Sequence, residues 1–349
     1  MKVISFFNNK GGVGKTTLAC NLAAVLCDKG HSVLLIDCDP QCNATLLVLG
    51  EKKARALYWP PEGPQEDDPT ILDVVAPLIE GDAKIARGVS VSAGANNRFG
   101  MDVLPGHPRL SIVEDRLSDA WRDATSGDIG GLRKSSWMHQ LVEDIGVKHD
   151  FVFLDLGPSL GSLNRTALLG SHYFCTPMGA DIFSIVGLRN IAEWIESWSE
   201  FYVHGIKLCD KRHADAVDRF GIPRDAKIVQ GYLGYTVQSY VSKYVSGVRR
   251  PTKAYEVIIE KFPSEVMNHL GSHLAPGVTG ETVHLGDIPN MFSIVPLAQS
   301  AAAPVAMLRA DDGVRGAHHA QVRRYAGILQ GVAESLLANI MPEEDGDVA

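Results

Sequence analysis

Residues 8–17 combine three glycines with two lysines and two threonines, in the order Asn-Asn-Lys-Gly-Gly-Val-Gly-Lys-Thr-Thr. The segment follows an apolar run, Val3 to Phe7, that predicts a buried strand. It precedes a helical pattern in which Leu18, Leu22 and Leu26 recur. A glycine turn between a strand and a helix directs backbone N–H groups and the helix dipole at an anion. The pattern therefore predicts a site for nucleotide phosphates, and a glycine turn that binds nothing is the disfavoured alternative.

The residue types in this segment have distinct roles in phosphate binding. The glycines permit backbone angles and a close approach that a side chain would block. The lysine at the start of the helix, Lys15, is the partner of the β- and γ-phosphates, and the Thr16 hydroxyl is placed to bind Mg²⁺. The predicted nucleotide-binding residues are Gly11, Gly12, Val13, Gly14, Lys15, Thr16 and Thr17.

Aspartates follow two further apolar runs. Asp37 and Asp39 come directly after Val33 to Ile36, and Asp155 ends the run that begins at Phe151. Short continuous apolar runs are typical of strands buried in a parallel sheet, and ligands bind beyond the carboxyl ends of such strands. A pair of aspartates alone is a weak signal, since half of such pairs cap a helix or bind nothing. Their order after the glycine segment favours a role in phosphoryl transfer.

The three segments resemble the deviant Walker A ATPases of the ParA and MinD type. The resemblance rests on Lys-Gly-Gly-x-Gly-Lys-Thr at residues 10–16, on residues 37–45, where Cys42 replaces the usual glycine, and on Asp-Leu-Gly-Pro at 155–158. It implies ATP and Mg²⁺ as cofactors. It also implies that Thr16, Asp37 and Asp155 hold the metal. The catalytic residues carried over by the resemblance are Lys10, Lys15 and Asp39.

The resemblance implies an ATPase that works as a switch between one and two subunits. Lys15 would bind the nucleotide of its own subunit, and Lys10 would reach the phosphates of the second subunit. Asp39 would activate the attacking water. ATP would then join a homodimer and hydrolysis would release it, with slow turnover until a ParB-like or other activating protein arrives. The implied fold is α/β, a mostly parallel central sheet flanked by helices, with enlarged insertions.

Composition limits the compartments and partners that we expect. The net charge of −8 argues against a generally basic nucleic-acid coat, and no apolar run reaches the length of about 20 residues that a membrane helix needs. The six cysteines contain no Cys-x-x-Cys pair, so we expect reduced thiols. We expect no signal peptide and no membrane anchor, and a cytoplasmic protein that associates with the nucleoid if it binds DNA.

The chain is expected to form one ATPase domain over residues 1–341, with insertions near 51–69 and 204–290 and an acidic tail at 342–349. We interpret 51–69 as an exposed acidic loop. We predict helices over Leu110–Leu117, Leu132–Ile145 and His318–Ile340, a strand over Ile228–Thr236 and the last strand over Phe292–Val295. The stripe of Ile191, Trp194, Ile195 and Trp198 is interpreted as core or dimer surface.

One segment of the second insertion mixes basic and aromatic residues. Lys243, Arg249, Arg250 and Lys253 alternate with tyrosines, a composition that suits a DNA backbone or a partner protein. A solvated helix face is the favoured interpretation. Residues 297–303 are small and apolar where partition relatives carry arginines that help to bind DNA nonspecifically. This difference weakens the expectation that the chain binds DNA.

Two functions remain open at this point. The favoured one is DNA or plasmid partition, or cargo positioning, by a ParA-type ATPase. The alternative is a regulatory ATP switch that binds another protein through the enlarged regions and carries no DNA. Iron–sulfur carriers of the superfamily need cysteines at the dimer interface, and none occurs between Cys42 and Cys175. MinD-type membrane proteins need a basic C-terminal anchor, and residues 343–347 are acidic.

Overall fold

The computed structural model describes residues 1–59, 68–238, 240, 242–245, 248–251 and 253–341, except for the side chains of 242–245, 248–250 and 254. Seven strands form one parallel sheet in the order β3-β2-β4-β1-β5-β6-β9, and β7 and β8 form a separate antiparallel hairpin. The strands are β1 (Lys2–Phe6), β2 (Val33–Asp37), β3 (Asp102–Leu104), β4 (Phe151–Asp155), β5 (Tyr173–Gly179), β6 (Tyr232–Gln238), β7 (Ser242–Val245), β8 (Val248–Pro251) and β9 (His284–Ile288). This confirms the predicted α/β fold with a mostly parallel sheet.

Helices connect the strands, as the right-handed crossovers of a parallel sheet require. They are α1 (Lys15–Asp28), α2 (Asn43–Tyr58), α3 (Ile71–Glu80), α4 (Val113–Thr125), α5 (Ile129–Ser135), α6 (Trp137–Ile145), α7 (Ser162–Leu169), α8 (Ile182–Arg212), α9 (Ala216–Arg219), α10 (Lys253–Ile259), α11 (Phe262–Leu270), α12 (Ile294–Ala301) and α13 (His318–Ile340). The terminal helix has the predicted bounds. The tryptophan stripe of α8 belongs to the core, where Trp198 packs against Trp121 of α4 with ring centroids 5.7 Å apart.

The sheet order decides which strand ends are neighbours. β4 lies between β2 and β1, and in this register Asp155 is level with both Asp37 and Phe6. All seven strands run the same way, so the chain leaves each of them at one edge of the sheet. The glycine segment and the aspartates, far apart in sequence, therefore meet at that carboxyl edge.

The predicted last strand is wrong. Phe292 precedes a helix, and Ile294 and Val295 belong to α12; the last strand is β9, inside the segment interpreted as an insertion. β9 was missed because it lies at the edge of the sheet, where only Leu285 and Ile288 of its five residues are buried. The predicted insertion near 204–290 thus contains two strands of the main sheet, β6 and β9.

Other boundaries also differ from the predictions. The interpreted loop 51–69 begins as helix, because α2 continues to Tyr58 through a kink at Gly50; residues 60–67 lie outside the described part. A 3-10 turn occupies Pro108–Ile112 before α4, and Ser136 separates α5 from α6 within the predicted helix at 132–145. β6 starts four residues later than predicted, at Tyr232, because a 3-10 turn covers Lys227–Gln230. The acidic tail at 342–349 is outside the described residues.

The basic segment is not the helix face that we favoured. The backbones of Lys243, Arg249 and Arg250 lie in the β7–β8 hairpin, with Lys243 opposite Arg250. Their side chains fall outside the described part of the chain. Lys253 begins α10 and is exposed. The interpretation as a DNA or partner surface stays a prediction.

Candidate active site

The glycine segment forms a loop between β1 and α1 at the carboxyl edge of the sheet. Gly12 and Gly14 adopt positive φ angles of 73° and 78°, which a residue with a Cβ adopts only at a cost. Gly14 is the N-cap of α1, so the first turn of the helix opens toward the loop. A cavity of about 330 Å³ lies against it. Its walls are Gly11, Gly12, Val13, Gly14, Lys15, Thr16, Thr17, Asp39, Gln41, Asn43, Leu47, Pro158 and Gln299.

Lys15 is held over the loop by backbone oxygens. Its Nζ donates to the carbonyl of Asn8 at 3.0 Å and to that of Lys10 at 3.1 Å. Burial lowers the pKa of Lys15, while the charges of Asp155 and Asp39 act in the opposite direction. A phosphate in the cavity would give this buried ammonium the opposite charge that its carbonyl partners lack.

Thr16 and Asp155 meet across the junction of α1 and β4. The Thr16 hydroxyl donates to Asp155 Oδ2 at 2.7 Å, whereas Asp155 Oδ1 is buried and has no hydrogen-bond partner. Burial raises the pKa of Asp155 well above its usual range, and the charge of Asp37 raises it further. An orphaned, buried carboxylate oxygen beside a hydroxyl fits a small hard cation such as Mg²⁺.

The donor set is too small to form a metal cage by itself. Within the described ranges, no three His, Cys, Asp or Glu side chains cluster closely enough to hold a metal. Mg²⁺ is commonly bound by one or two protein oxygens together with substrate phosphates and water. Thr16 and Asp155 therefore fit a metal that arrives with a nucleotide.

Asp37 and Asp39 differ in their burial and in their hydrogen bonds. Asp37 is fully buried, and its Oδ2 accepts from the backbone N–H and the hydroxyl of Thr45 at 2.8 and 2.7 Å. Through Thr45 it anchors the start of α2, and its role in holding the metal stays a prediction. Asp39 lines the cavity, and its Oδ1 accepts from the Gln41 N–H at 3.0 Å. Burial raises the pKa of Asp37 to about 6.

The loop after β4, residues 157–159, is fixed to α7. The Asn164 amide donates to the carbonyls of Gly157 and Ser159 at 2.8 and 2.6 Å. A Cβ on Gly157 would lie 3.2 Å from Asp39 Oδ1, so this loop borders that carboxylate closely. Glu114 of α4 accepts from the first backbone N–H groups of α7, which fixes the helix that carries Asn164.

Lys10 is at the rim of the site rather than inside it. Its ammonium forms an ion pair with Asp181, the N-cap of α8, and lies 6.0 Å from the ring centre of Phe183. About a third of each charged side chain is exposed. Ile182, Phe183 and Val186 beside it are more than half exposed, an apolar patch at the start of α8.

Four polar residues near the site carried no prediction from the sequence. Gln41 and Asn43 line the cavity; they lie in the aspartate segment already singled out, so proximity in sequence was an available signal. Gln299 reaches the cavity from α12, and Gln238 at the end of β6 contacts Gly14. No local pattern marks those two, since only the packing of α12 and β6 brings them to the loop.

No helix in the described ranges has the length and apolar character needed to cross a membrane. All six cysteines are free thiols.

The chain is similar to known proteins in sequence and in fold. The profile of the family AAA_31, described as an AAA domain, matches residues 1–207. Protein DIP2308 from Corynebacterium diphtheriae is similar over its whole length: 32% identity, 99% of this chain and 100% of that chain, and a TM-score of 0.74. The ATP complex of a Cyanothece McdA variant shares the fold, with a TM-score of 0.58 at 17% identity over 96% of each chain.

Among curated proteins, the chromosome partitioning protein ParA of Caulobacter vibrioides is 30% identical over 200 residues. The match covers 56% of this chain and 62% of ParA, so less than two thirds of that relative is represented. The matched family covers more than half of the chain and includes the glycine loop, both aspartates after β2 and Asp155. The chain belongs to the ParA/MinD-type family of P-loop ATPases.

Proposed function

We propose that this protein hydrolyses ATP slowly and uses ATP binding as a dimerisation switch. The observation that carries the proposal is that Lys15, Thr16 and Asp39 line one cavity and that the Thr16 hydroxyl donates to the buried Asp155. Lys10 lies at the rim of this cavity beside an exposed apolar patch. The glycine segment at residues 8–17 is the P-loop of this family. Its backbone N–H groups and Lys15 would bind the phosphates. Mg²⁺ held by Thr16 and Asp155 would neutralise phosphate charge when bound.

Asp39 is proposed to orient the attacking water and to accept its proton. Its carboxylate lines the cavity, and the Gln41 N–H fixes one oxygen. Asp37 supports this arrangement indirectly, because it accepts from the Asp39 N–H at 3.2 Å and anchors Thr45. Gln299 and Asn43 complete the polar walls.

Lys10 is proposed to act on the nucleotide of a second subunit. Its side chain is exposed enough to extend toward a second subunit. Its ion pair with Asp181 is weak, because about a third of each side chain is exposed to solvent. A second cation that arrives only on dimerisation would complete the stabilisation of the transition state, so the isolated subunit would turn over slowly.

The test compares Lys10→Ala with the wild type by sedimentation velocity and phosphate release, with and without ATP. We expect Lys10→Ala to fold normally and to lose both the ATP-dependent dimer and hydrolysis. The matched control is Lys84→Ala, an exposed lysine that is absent from the cavity wall. An unchanged ATP dimer in Lys10→Ala would refute the role in the second subunit.

For the biological role, we propose DNA or plasmid partition or cargo positioning with a ParB-like or other activating protein. The similarity to ParA supports this role. The alternative is a regulatory ATP switch without DNA. A partition protein should bind nonspecific double-stranded DNA only with ATP, and this binding should weaken as the salt concentration rises. DNA binding that does not need ATP, or no DNA binding, favours the alternative.

A pull-down with Asp39→Ala, which should trap the ATP-bound dimer, would identify a protein partner.

A further inference from the structure

A second polar cavity lies at the amino-terminal edge of the sheet, opposite the P-loop. Its volume is about 330 Å³. Lys2 is the first residue of β1 and Tyr173 the first of β5, so the cavity opens where these strands begin. The turn before β6 supplies another wall. The lining residues are Met1, Lys2, His172, Tyr173, Lys227, Gln230 and Pro276.

One hydrogen bond fixes the proton of His172. The Val3 backbone N–H donates to His172 Nδ1 at 3.0 Å, so Nδ1 is an acceptor. The neutral ring therefore carries its proton on Nε2. Nε2 takes part in none of the hydrogen bonds found among the described residues, and the ring is only partly buried where it lines the cavity. His172 thus contributes a donor.

The other polar lining groups are also donors or positively charged. Lys2 and Lys227 carry ammonium groups, and neither forms an ion pair within the part of the chain that the structure describes. Gln230 offers an amide that can donate. Among the residues that the structure describes, the lining contains no aspartate and no glutamate. A cavity lined by cations and donors without an acid favours an anionic ligand.

The electrostatics of His172 report the same positive field. Burial lowers the pKa of His172 to about 4, and the charges of Lys227, Lys2 and His139 contribute in that order. The acidic groups nearby, Asp150 among them, are not part of the lining of this cavity. Glu143 pairs with His139 at 3.2 Å, and Glu200 and Asp225 line an adjoining cavity that shares Lys227.

We propose that the cavity at the start of β1 and β5 binds a compact phosphate-bearing anion through Lys2, Lys227 and His172. The lining offers two ammonium groups and one imidazole N–H, which suits a single phosphate group, as in inorganic phosphate or a small phosphate monoester. The site is separate from the P-loop, because the two cavities lie at opposite ends of β1. The proposal does not depend on the proposed ATPase activity.

The test follows the ring C–H signals of His172 by NMR while inorganic phosphate, or glycerol 3-phosphate in a second arm, is added at constant ionic strength. The signals are assigned with His172→Asn. We expect a saturable shift and a higher pKa for His172 in the presence of the anion. Phosphate bound at the P-loop does not interfere, because the probe is local. The arm that saturates at the lower concentration identifies the better source of the phosphate group.

Lys227 lies on an exposed turn, so its substitution should not disturb folding. Lys227→Met should weaken the binding of the anion about tenfold, the factor that corresponds to 1.4 kcal/mol. Lys2→Met should act similarly, and Lys84→Met is the matched control that should change nothing. The proposal is overturned if neither anion gives a saturable shift up to tens of millimolar. It is equally overturned if Lys227→Met, shown by circular dichroism to be folded, binds as the wild type does.

Discussion

Lys10 forms an ion pair with Asp181 of its own chain, which joins the glycine loop to the N-terminus of α8. The two residues are 171 positions apart, and the sheet order that places β5 beside β1 brings them together. In this arrangement Lys10, which we propose to contact the nucleotide of a second subunit, is paired with a residue of its own subunit. Dimerisation would have to exchange one partner for another.

Asp181→Asn should therefore make ATP-dependent dimerisation easier. Asparagine keeps the oxygen that caps α8 by accepting from the Phe183 and Ser184 N–H groups, but it loses the charge that holds Lys10. The pair is partly exposed and worth at most about 1 kcal/mol, and a symmetric dimer would break two such pairs, so the dimer should form at protein concentrations down to about one thirtieth of the wild-type value. Sedimentation velocity with ATP measures this. Asp181→Ala, which also loses the cap, is the control for helix stability; a weaker dimer in Asp181→Asn would contradict the exchange.

Asn164→Ala should slow ATP hydrolysis more than it weakens nucleotide binding. Asn164 fixes the carbonyls of Gly157 and Ser159, and that loop borders Asp39, so its loss would let the loop move away from the carboxylate. We expect hydrolysis to fall about tenfold with the nucleotide Kd changed less than about twofold. The loss of buried hydrogen bonds should also cost about 1–3 kcal/mol of stability.

Asn97→Ala is the matched control for that loss of stability, because Asn97 also donates to a backbone carbonyl, that of Met101 at 2.9 Å, away from the cavity. It should leave hydrolysis unchanged at temperatures where both variants are folded. Equal losses of hydrolysis in the two variants would mean that Asn164 has only a structural role.

Gly14→Ala should destabilise the protein more than Gly12→Ala. Both residues have positive φ angles, so each alanine costs about 1–2 kcal/mol in backbone strain. At Gly12 a Cβ meets nothing within 4 Å, whereas at Gly14 it would overlap the Gln238 side-chain oxygen. Urea unfolding measures the free energy of unfolding of both variants and of the double variant Gly14→Ala/Gln238→Ala. In the double variant, the additional loss due to the overlap with Gln238 should disappear, and the loss due to backbone strain should remain. Equal costs at the two glycines would show that the Gln238 side chain moves aside at no cost, which would contradict the prediction.

His172 should make the protein less stable in mild acid. Its folded pKa is lowered to about 4 by burial, then by Lys227 and Lys2, while the unfolded value is near 6.5. Between these values the unfolded state binds more protons, so stability rises with pH there and is lost as pH falls from about 6.5 toward 4. His172→Asn keeps an acceptor for the Val3 N–H and does not titrate.

The free energy of unfolding of His172→Asn should therefore vary less with pH across this window than that of the wild type. Urea unfolding at a series of pH values measures the difference. His107→Asn is the comparison variant, because burial also lowers the pKa of His107, which lies in a different part of the fold. Parallel pH curves for His172→Asn and the wild type would contradict the prediction.

The family, the parallel α/β fold and the residues of the P-loop could be predicted from the sequence, because they depend on local chemistry. Glycines that permit positive φ, a lysine and a threonine at a helix start, and aspartates after apolar runs are all recognisable within short segments. The terminal helix also had its predicted bounds, since its apolar periodicity is long and continuous.

Which of these groups lie close together depends on the packing of the whole chain. The position of β4 between β1 and β2 puts Asp155 beside Thr16 and level with Asp37, and no local pattern encodes strand order. Burial of Asp37 beside Thr45 makes it an anchor for the start of α2, and its role in holding the metal stays a prediction. Edge strand β9 was hidden for a similar reason: its few buried side chains pack against other elements, so its strand character comes from pairing with β6 rather than from its own sequence.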